Sequence, residues 1–504
     1  MRALARLPTA WLLLAVCWRV ASRAAGLELP PGNAAQAAPA LAARPGRIVV
    51  PLQRQRLPVL SDAGILSYKS IYFGSVSVGA PAPQKFLMVF DTGSGHVVLP
   101  GKSCRTEACV VHSRYDVAAS PTGSEIDFDG APIAAGAARD QLTVAYGTGE
   151  ITGLAARDIF CLGVREGAPE TAALEAAGVA SGPAAGEAAP AQANGTGNGP
   201  AAGRPAAAPQ CVDMRLVVAT EMSHEPFHLF SFDGVAGLGL DALAIRPEFS
   251  LFGMLVAQGR LQSPLFGVFL ADSHDEESEI SFGGVSPVRV QGEVRWAPVA
   301  MPEEGHWQVS ISRVRIGNQA FGFCEDGECR AVIDTGTSLL VVPSAVHDDL
   351  FDALDGSVQD PHDSAPLRDG EVDCRFATGL PIHFEINGFS VTLQPGDYTR
   401  ASAPWAPDEG PELQADVLQN ATDQAEPEGQ GSGAPFGEAV VPDGPMTCMP
   451  SMMPLDLPPP LGPKLFILGE PVLRKYYTVY DWATPSVGFA LAAHSGGAMP
   501  PAMA

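Results

Sequence analysis

A short segment centred on an aspartate occurs twice in this chain. Residues 88–100 read MVFDTGSGHVVLP and residues 331–343 read AVIDTGTSLLVVP, and the two agree at six of thirteen positions. Each copy is an apolar run, an Asp-Thr-Gly turn and a second apolar run. One such aspartate is explained by hydrogen bonds to its own turn, although an ionisable group between apolar runs is costly. Two copies in the same setting predict that Asp91 and Asp334 act together as functional groups.

A pair of facing carboxylates supplies both an acid and a base. The ionised carboxylate takes a proton from water, and the protonated one donates a proton to a carbonyl oxygen or a leaving amine. Hydrolysis by an activated water molecule needs both groups when neither a metal ion nor a covalent nucleophile takes part. We therefore predict attack by a water molecule held between Asp91 and Asp334; on a peptide bond, such attack would give a tetrahedral diol and no acyl-enzyme. No cofactor and no metal are expected.

The elements that must position these carboxylates are predicted to be mostly strands. Short runs rich in Val, Ile, Phe and Leu alternate with Gly, Pro, Asp and Asn. Helical patterns are few, and the better candidates are residues 250–258 and 344–354. The fold class is therefore all-β. The predicted strands include residues 71–79, 86–90, 214–219, 280–284, 309–316 and 383–393.

Two segments lack any strand or helix pattern and are predicted to be flexible insertions. Residues 162–210 consist largely of Ala, Gly, Pro and Glu, and residues 400–447 form an acidic stretch rich in Pro, Gly and Gln. Both Asn-x-Ser/Thr sequons, at Asn194 and Asn420, fall inside them, where a surface glycan is tolerated. The insertions hold many of the 54 Gly and 46 Pro of the 504 residues. The ordered body is therefore smaller than the chain length indicates.

The N-terminus has the pattern of a secretory signal peptide over residues 1–24. Arg2 and Arg6 precede a short apolar run, and small residues follow it. The run is too short to span a bilayer, and no other segment is long and apolar enough. The formal net charge of −25 disfavours nucleic acid and anionic membranes as partners. We expect a monomeric protein of the secretory pathway, with no nucleic-acid partner and no membrane span in its mature form.

Eight cysteines remain once the signal peptide with Cys17 is removed, an even number that favours disulfides in an oxidising compartment. Two C-x4-C spacings predict local bridges, and zinc is a weaker interpretation because no matching Cys or His pair lies nearby. The other four cysteines flank the two insertions. Sequence leaves their pairing open, although bridges across the necks of the insertions would use them all. The favoured pairs are Cys104–Cys109, Cys324–Cys329, Cys161–Cys211 and Cys374–Cys448.

The Asp-Thr-Gly turns and several other segments resemble those of the pepsin-like (A1) aspartic proteases. YGTGEITG is similar to the family's flap hairpin, and FDGVAGLG and LFILGEPVLRKYYTVYDWATPSVGFA resemble its two ψ-loop strands and its C-terminal strands. SFGGV and WQVSI also resemble segments of that family. The resemblance covers roughly residues 66–490 apart from the insertions, and it implies a bilobal fold of two homologous β lobes with the active site between them. The five segments are residues 146–153, 232–239, 465–490, 281–285 and 307–311.

The resemblance also implies roles for the residues around the two aspartates. Asp91 and Asp334 would be catalytic and would share one proton, a behaviour for which aspartic proteases are the standard example. Supporting roles fall to threonines that cross-link the turns, glycines that approach the opposite carboxylate, and hydroxyls that bond the outer carboxylate oxygens. These pairs are Thr92 and Thr335, Gly93 and Gly336, and Ser94 and Thr337. The flap residues that would close over an extended peptide are Tyr146, Gly147 and Thr148.

Three positions differ from the family pattern. Val98 stands where many members have a tryptophan that bonds the flap tyrosine, so that tyrosine must bond His96 or water, or go without a partner. His306 is interpreted as an exposed histidine at the rim of the cleft rather than a specificity residue. Glu470 replaces the usual aspartate after ILG and is interpreted as a conservative structural change.

The leader is a basic strip ahead of an acidic body. Residues 1–67 hold eight Arg and two acidic residues, whereas the rest of the chain holds 23 basic and 54 acidic residues. Residues 44–57 resemble the basic first strand of pepsin-family pro-segments. We therefore predict a zymogen that matures at low pH by cleavage near residues 57–68. The predicted divisions are signal peptide 1–24, pro-segment 25–67, N-terminal lobe 68–285, C-terminal lobe 286–490 and flexible tail 491–504.

These features together predict an aspartic-type endopeptidase that acts on proteins at acidic pH. Its compartment would be an acidic vacuole, a lysosome-like compartment or the extracellular space. A binding protein on the same fold is the main alternative, but such relatives usually damage an Asp-Thr-Gly turn or the flap, and both are intact here. A structural acidic glycoprotein would explain the insertions and the charge but not the duplicated carboxylate turn.

Overall fold

A computed structural model gives the architecture of most of the chain outside the two insertions. The predicted signal peptide, both sequons, Gly147, Thr148 and most of each insertion lie outside the residues that it describes. The described residues are 47–61, 64–133, 137, 139–146, 149–163, 210–273, 275–361, 372–402 and 447–495.

Strands dominate the described residues, and the helices are short. The strands are β1 (Ile48–Ser61), β2 (Gly64–Val78), β3 (Gln84–Asp91), β4 (Val97–Pro100), β5 (Ser124–Glu125), β6 (Leu142–Tyr146), β7 (Gly149–Leu162), β8 (Cys211–Met222), β9 (Gly234–Gly237), β10 (Leu265–Phe269), β11 (Ser278–Phe282), β12 (Val290–Pro298), β13 (Gln308–Ile316), β14 (Gln319–Phe321), β15 (Arg330–Ile333), β16 (Leu340–Val342), β17 (Ile382–Ile386), β18 (Phe389–Leu393), β19 (Thr399–Ser402), β20 (Thr447–Pro450), β21 (Met452–Pro454), β22 (Leu465–Leu468), β23 (Tyr476–Asp481) and β24 (Ser486–Ala492). The α-helices are α1 (Glu107–Val110), α2 (Leu251–Ala257), α3 (Ser344–Asp355), α4 (Pro395–Tyr398) and α5 (Glu470–Lys475).

The strands form a large sheet that carries the first Asp-Thr-Gly turn and a smaller sheet that carries the second. The large sheet has 14 strands in the order β12-β24-β23-β10-β11-β1-β2-β3-β9-β4-β8-β7-β5, with β6 paired to β7. The smaller sheet has eight strands in the order β18-β17-β13-β15-β22-β16-β21, with β14 paired to β13. A separate pair is formed by β19 and β20. The prediction of an all-β, bilobal pepsin-like fold is confirmed.

The same local topology surrounds each Asp-Thr-Gly turn. Strand β9 lies between β3 and β4, parallel to the first and antiparallel to the second. Strand β22 lies in the same way between β15 and β16. All four residues of β4 and all three of β16 are buried, as the apolar runs of the sequence require. The duplicated sequence is therefore a duplicated strand-turn-strand unit.

One predicted strand is two strands in the structure. Residues 383–393 form the hairpin of β17 and β18, and the chain reverses at Asn387 (φ 44°) and Gly388 (φ 79°). Asn-Gly is the pair that favours a two-residue hairpin turn with positive φ at both positions. The two predicted helices lie where α2 and α3 are found. The Gly253 N–H donates to the Ser250 hydroxyl at 3.2 Å, which caps α2.

Disulfides close the necks of both insertions. Cys161 and Cys211 face each other across β7 and β8, at the points where the first insertion leaves and rejoins the sheet. Cys448 lies opposite Ala401 in the β19–β20 pair, and its bridge to Cys374 closes the second neck. The two local bridges are Cys104–Cys109 and Cys324–Cys329.

The ordered chain extends beyond the predicted body at both ends. Strand β1, which falls inside the predicted pro-segment, pairs with β11 through Ile48–Leu52 and with β2 through Gln53–Ser61. At the other end β24 continues to Ala492, past the predicted boundary at residue 490. His494 then bonds the Glu276 carboxylate at 2.9 Å through Nδ1. The first residues of the predicted flexible tail are therefore fixed in place.

Phe282 is buried where three strands of the large sheet meet, and its loss should destabilise the fold. It lies opposite Ile48 of β1 and Phe266 of β10 and is fully buried. Because Phe282→Ala leaves a cavity among these strands, we expect it to lower the free energy of unfolding by about 3–5 kcal/mol, measured by denaturant titration. Phe376→Ala is the control, since Phe376 is 62% exposed. Equal stability of the two variants would contradict the prediction.

Candidate active site

The two Asp-Thr-Gly turns meet at the ends of the matching strands β3 and β15. Asp91 ends β3, and its carbonyl oxygen accepts a hydrogen bond from the Leu238 N–H at 2.7 Å. Asp334 follows β15, and its N–H donates to the Leu468 carbonyl oxygen at 3.2 Å. Each aspartate is therefore tied to the C-terminal end of the neighbouring parallel strand, β9 for Asp91 and β22 for Asp334.

Reciprocal threonine hydrogen bonds join the two turns. The Thr92 N–H donates to the Thr335 hydroxyl at 3.0 Å, and the Thr335 N–H donates to the Thr92 hydroxyl at 3.0 Å. The Thr92 hydroxyl donates onward to the Ile333 carbonyl oxygen at 2.9 Å, and the Thr335 hydroxyl to that of Phe90 at 2.6 Å. Each hydroxyl thus accepts from the opposite turn and donates to the strand that precedes that same turn, which fixes the turns relative to each other.

Each carboxylate lies against the glycine of the opposite turn. A methyl group built on Gly93 would lie 2.9 Å from Oδ1 of Asp334, and one built on Gly336 would lie 2.5 Å from Oδ1 of Asp91. Each glycine also donates its own N–H to the aspartate of its own turn, at 2.9 Å for Gly93 and 3.0 Å for Gly336. Only glycine leaves room for this approach. The aspartates are 9% and 8% exposed.

The outer carboxylate oxygens are held differently in the two turns. The Thr337 hydroxyl donates to Oδ2 of Asp334 at 2.5 Å. The corresponding Ser94 hydroxyl is buried close to Asp91 and acts to lower the pKa of Asp91, but it does not reach hydrogen-bond geometry with any described residue. The resemblance predicted the same orienting role for both hydroxyls. The structure therefore fixes the outer oxygen of Asp334 by a hydrogen bond and places the Ser94 hydroxyl near Asp91 without one.

Burial and the neighbouring carboxylate change the proton affinity of Asp91. Burial raises the pKa of Asp91 to about 7, and the negative charge of Asp334 acts in the same direction. The N–H of Gly93 opposes the shift because it stabilises the ionised form. Since both carboxylates cannot be charged at this separation, the pair holds one proton over a range of acidic pH.

The segment predicted as the flap contains a hairpin whose first strand ends at Tyr146, close to Asp91. Strands β6 and β7 are antiparallel, and Tyr146 lies opposite Gly149 in the ladder. The Tyr146 hydroxyl is buried and has no hydrogen-bond partner among the described residues. Burial raises the pKa of Tyr146, and the charge of Asp91 adds to the shift, so the phenol lies beside the aspartates. Gly147 and Thr148, predicted as flap residues, lie outside the described residues.

His96 is not the partner of the flap tyrosine. Its Nε2 accepts a hydrogen bond from the Ile245 N–H at 3.0 Å, and its ring packs edge-on against Phe249. Burial lowers the pKa of His96 to about 4, so the imidazole is neutral. Val98, at the position of the family's tryptophan, is buried in β4 and offers no polar group. The difference at Val98 therefore leaves Tyr146 without the family's tryptophan, and the side-chain hydroxyl that acts on its phenol is that of Ser94.

His306 lies closer to the aspartates than the sequence indicated. It is half-buried rather than exposed, and its Nδ1 has no hydrogen-bond partner within the described residues. Burial lowers the pKa of His306, while the carboxylates of Asp334 and Glu304 act in the opposite direction. The interpretation as an exposed rim histidine is therefore corrected. The neighbouring Trp307 is fully buried, and its Nε1 donates a hydrogen bond to the Leu238 carbonyl oxygen at 2.8 Å. This hydrogen bond holds the Trp307 side chain in place.

Glu470 has a larger role than a conservative replacement. It is 1% exposed and accepts hydrogen bonds from Arg54 at 3.1 Å, from Arg400 at 2.6 Å and from the Tyr72 hydroxyl at 2.9 Å. Burial alone would raise the pKa of Glu470, but the charges of Arg400, Arg54 and Arg474 outweigh it and hold the pKa below its ordinary value. No local sequence pattern indicates this network, because its members come from distant segments.

Comparisons with known proteins agree with this geometry. The chain matches the family model described as eukaryotic aspartyl protease over residues 71–165 and 210–405, which together are more than half of its length. Cathepsin E of Rattus norvegicus is 28% identical over 427 residues, which cover 83% of this chain and 79% of that protein. Gastricsin of Homo sapiens is 28% identical over 424 residues, covering 84% and 81%. Pepsin B of Canis lupus familiaris is 28% identical over 432 residues, again covering 84% and 81%.

The matched ranges contain both Asp-Thr-Gly turns, the flap strands and β9, and the interruption between them coincides with the first insertion. The similarity to each relative extends over about four-fifths of both chains. The predictions of family, fold and enzyme class are therefore confirmed. The chain belongs to the eukaryotic aspartyl protease family and is a pepsin-like aspartic endopeptidase.

Proposed function

We propose that Asp91 and Asp334 are the catalytic pair and that they cleave peptide bonds of protein substrates at acidic pH. The observation that carries this assignment is the reciprocal approach of each carboxylate to the glycine of the opposite turn. It places two buried carboxyl groups side by side, each with one oxygen held by a backbone N–H. A water molecule between them would contact both a base and an acid.

The raised pKa of Asp91 supports the sharing of one proton by the two carboxyl groups. The ionised carboxylate of the pair would take the proton from water, while the protonated carboxyl would donate to the carbonyl oxygen of the substrate. The tetrahedral diol then collapses as a proton passes to the leaving amine, and no covalent bond to the enzyme forms. The Thr337 hydroxyl keeps the carboxylate of Asp334 oriented towards the water.

The flap hairpin is proposed to close over an extended peptide. The buried phenol of Tyr146 beside Asp91 supports this role. Gly147 and Thr148 are proposed to donate backbone hydrogen bonds to the substrate. Because the tyrosine lacks a fixed partner in the described part of the chain, its hydroxyl is available to a substrate or a water molecule. We expect a preference for large apolar residues on both sides of the scissile bond.

Residues 25–67 are proposed to be the pro-segment of a zymogen that is cleaved near residues 57–68. Within it, β1 is held by the Arg54–Glu470 ion pair and by a hydrogen bond from Arg47 Nη1 to the Val285 carbonyl oxygen at 2.9 Å. The lowered pKa of Glu470 sets the sign of the pH effect. The pair stabilises the attachment above about pH 4.5, the ordinary glutamate value, and this contribution is lost as pH falls through the lower folded-state pKa.

The disulfides and the substrate class agree with a protein of the secretory pathway, since disulfides persist in oxidising compartments. Within the described ranges, no helix has the length and apolar character needed to cross a membrane. We propose that the protease is a monomer acting in an acidic vacuole, a lysosome-like compartment or outside the cell. We also propose that the chain is divided into a signal peptide (1–24), an N-terminal lobe (68–285), a C-terminal lobe (286–490) and a tail.

Replacing either aspartate should abolish hydrolysis without unfolding the protein. Because each carboxylate supplies one half of the acid/base pair, Asp91→Asn and Asp334→Asn should each lower kcat/KM by about 10²–10⁴-fold in a peptide-library digest at acidic pH. Asp348→Asn is the matched control, since the Asp348 side chain is 94% exposed on α3. Cleavage by either dyad variant at the wild-type rate would refute the assignment.

The shared proton sets an upper pH limit on activity. The protonated form of Asp91 is lost as pH rises through about 7, so kcat/KM should fall by about tenfold for each pH unit above that value. The measurement is the initial rate on one peptide from pH 3 to 9, with the circular dichroism spectrum recorded at each pH to show that the fold is kept. Constant activity from pH 7 to 9 would contradict the proposed proton sharing.

Weakening the attachment of β1 should make maturation easier. Arg54→Gln removes one of the charges that hold Glu470, so cleavage near residues 57–68 should begin at a higher pH than in wild type. N-terminal sequencing of samples taken at each pH measures the cleavage. Arg105→Gln is the control, because Arg105 is exposed. The proposal fails if Arg54→Gln and Arg105→Gln mature at the same pH and the same rate.

A further inference from the structure

A compact group of possible metal ligands lies outside the active site, at the end of β8. It consists of His224, Glu225 and His228, and one ligand atom of each lies within 4.8 Å of those of the other two. Neither the proposed hydrolysis nor the fold uses these side chains. The H-E-x-x-H spacing binds zinc in metalloproteases when it lies on a helix. Here Phe227–Leu229 is a single 3-10 turn, so the arrangement is a different one.

The distances suit a small divalent ion. The His224 and His228 rings stack with their centres 3.7 Å apart. An oxygen of the Glu225 carboxylate lies 3.6 Å from Nδ1 of His224 and 3.7 Å from Nδ1 of His228. A tetrahedral Zn²⁺ with ligand distances of about 2.1 Å needs donor atoms about 3.4 Å apart. The two donor separations are close to that value, and binding would turn the stacked rings towards one ion, because the lone pair of each imidazole nitrogen lies in the plane of its ring.

The second nitrogen of the His224 imidazole faces an oxygen atom. Nδ1 of His228, the ligand atom that lies near the Glu225 carboxylate, is 3.1 Å from the His224 carbonyl oxygen and must leave that contact to bind the ion. Nε2 of His224 lies 3.5 Å from a carboxylate oxygen of Glu107, which leaves Nδ1 as its ligand atom. Metal-binding histidines commonly direct their other N–H to a carbonyl or carboxylate oxygen in this way. The carboxylates of Glu107 and Glu225 also favour a cation at this place.

The loop that carries these residues is bonded to the second strand of the flap hairpin. The Ser223 N–H donates to the Glu150 carbonyl oxygen at 2.9 Å, and the Glu150 N–H donates to the Ser223 hydroxyl at 3.0 Å. A methyl group built on Gly149 would lie 2.5 Å from the Phe227 ring. The segment between the two histidines therefore lies directly against the start of β7, three residues after the flap tyrosine.

We propose that His224, Glu225 and His228 bind one Zn²⁺ ion, with water completing the coordination, and that the bound ion stiffens the base of the flap. Imidazole and carboxylate ligands are those that Zn²⁺ takes in proteins. The ion would join the two ends of the 224–228 turn, against which β7 rests. The binding site itself does not depend on the proposed catalytic pair, whereas its effect on the flap rests on that assignment.

Zinc binding to the full chain tests the site directly. Titration calorimetry with ZnCl₂ at neutral pH should give one ion bound per wild-type chain, with a dissociation constant in the micromolar range or tighter. The double variant His224→Ala/His228→Ala should bind at least about tenfold more weakly, and Glu225→Gln should lie between the two. The Asp91→Asn variant should bind like wild type, which separates a failure of this site from a failure of the proposed dyad.

A matched control tests whether the loss of any histidine weakens zinc binding. His347→Ala removes a histidine of α3 that lies beside Asp348, and it should keep wild-type zinc binding. Thermal unfolding without zinc shows whether each variant is folded. No binding by wild type, or equal binding by wild type and the double variant, would overturn the proposal.

Hydrogen exchange tests the effect on the flap. Saturating ZnCl₂ should slow amide exchange of residues 149–153 several-fold in wild type and leave it unchanged in His224→Ala/His228→Ala. Zinc that binds without slowing exchange at these amides would overturn the proposed stiffening, even though the site itself would stand.

Discussion

The reciprocal hydrogen bonds between Thr92 and Thr335 are the constraint on which the active site depends. Two carboxylates in an apolar cleft repel each other when ionised, and nothing in either turn alone would hold them together. Each threonine N–H donates to the other hydroxyl, and each hydroxyl donates to the strand before the opposite turn. The separation of the aspartates is therefore set by two sheets rather than by side-chain torsions, and it persists through the change of charge that proton sharing requires.

The two turns are alike except at the outer carboxylate oxygen of each aspartate. Thr337 bonds Asp334, whereas Ser94 leaves Asp91 without the matching contact within the described residues. Asp91 is also the aspartate that lies beside the flap tyrosine. Burial favours the neutral acid and, together with the charge of Asp334, accounts for the raised pKa of Asp91. A duplicated motif thus places its two carboxylates in different surroundings.

A second buried network fixes the N-terminal strand to the body. Glu470 sits at the start of α5 and binds Arg54 of β1, Arg400 of β19 and Tyr72 of β2. An isolated buried carboxylate would be costly, but here the charge is matched and its oxygens are satisfied. Loss of Glu470 would leave Arg54, Arg400 and Tyr72 without their shared acceptor. The network therefore holds β1 to the body as long as Glu470 is ionised.

The sequence by itself determined the class of the fold and the identity of the reacting groups. Alternating apolar runs fixed the strands, and the repeated Asp-Thr-Gly turn marked Asp91 and Asp334, because these signals are local and need no knowledge of distant residues. The split of residues 383–393 into two strands also depends on a local signal, because the Asn387-Gly388 pair favours a hairpin turn. Only the tertiary structure decided which side chains meet. His306 beside Asp334, the Arg54–Glu470 pair and the unpartnered Tyr146 join segments far apart in the chain, and their burial and charge balance exist only once the sheets have assembled.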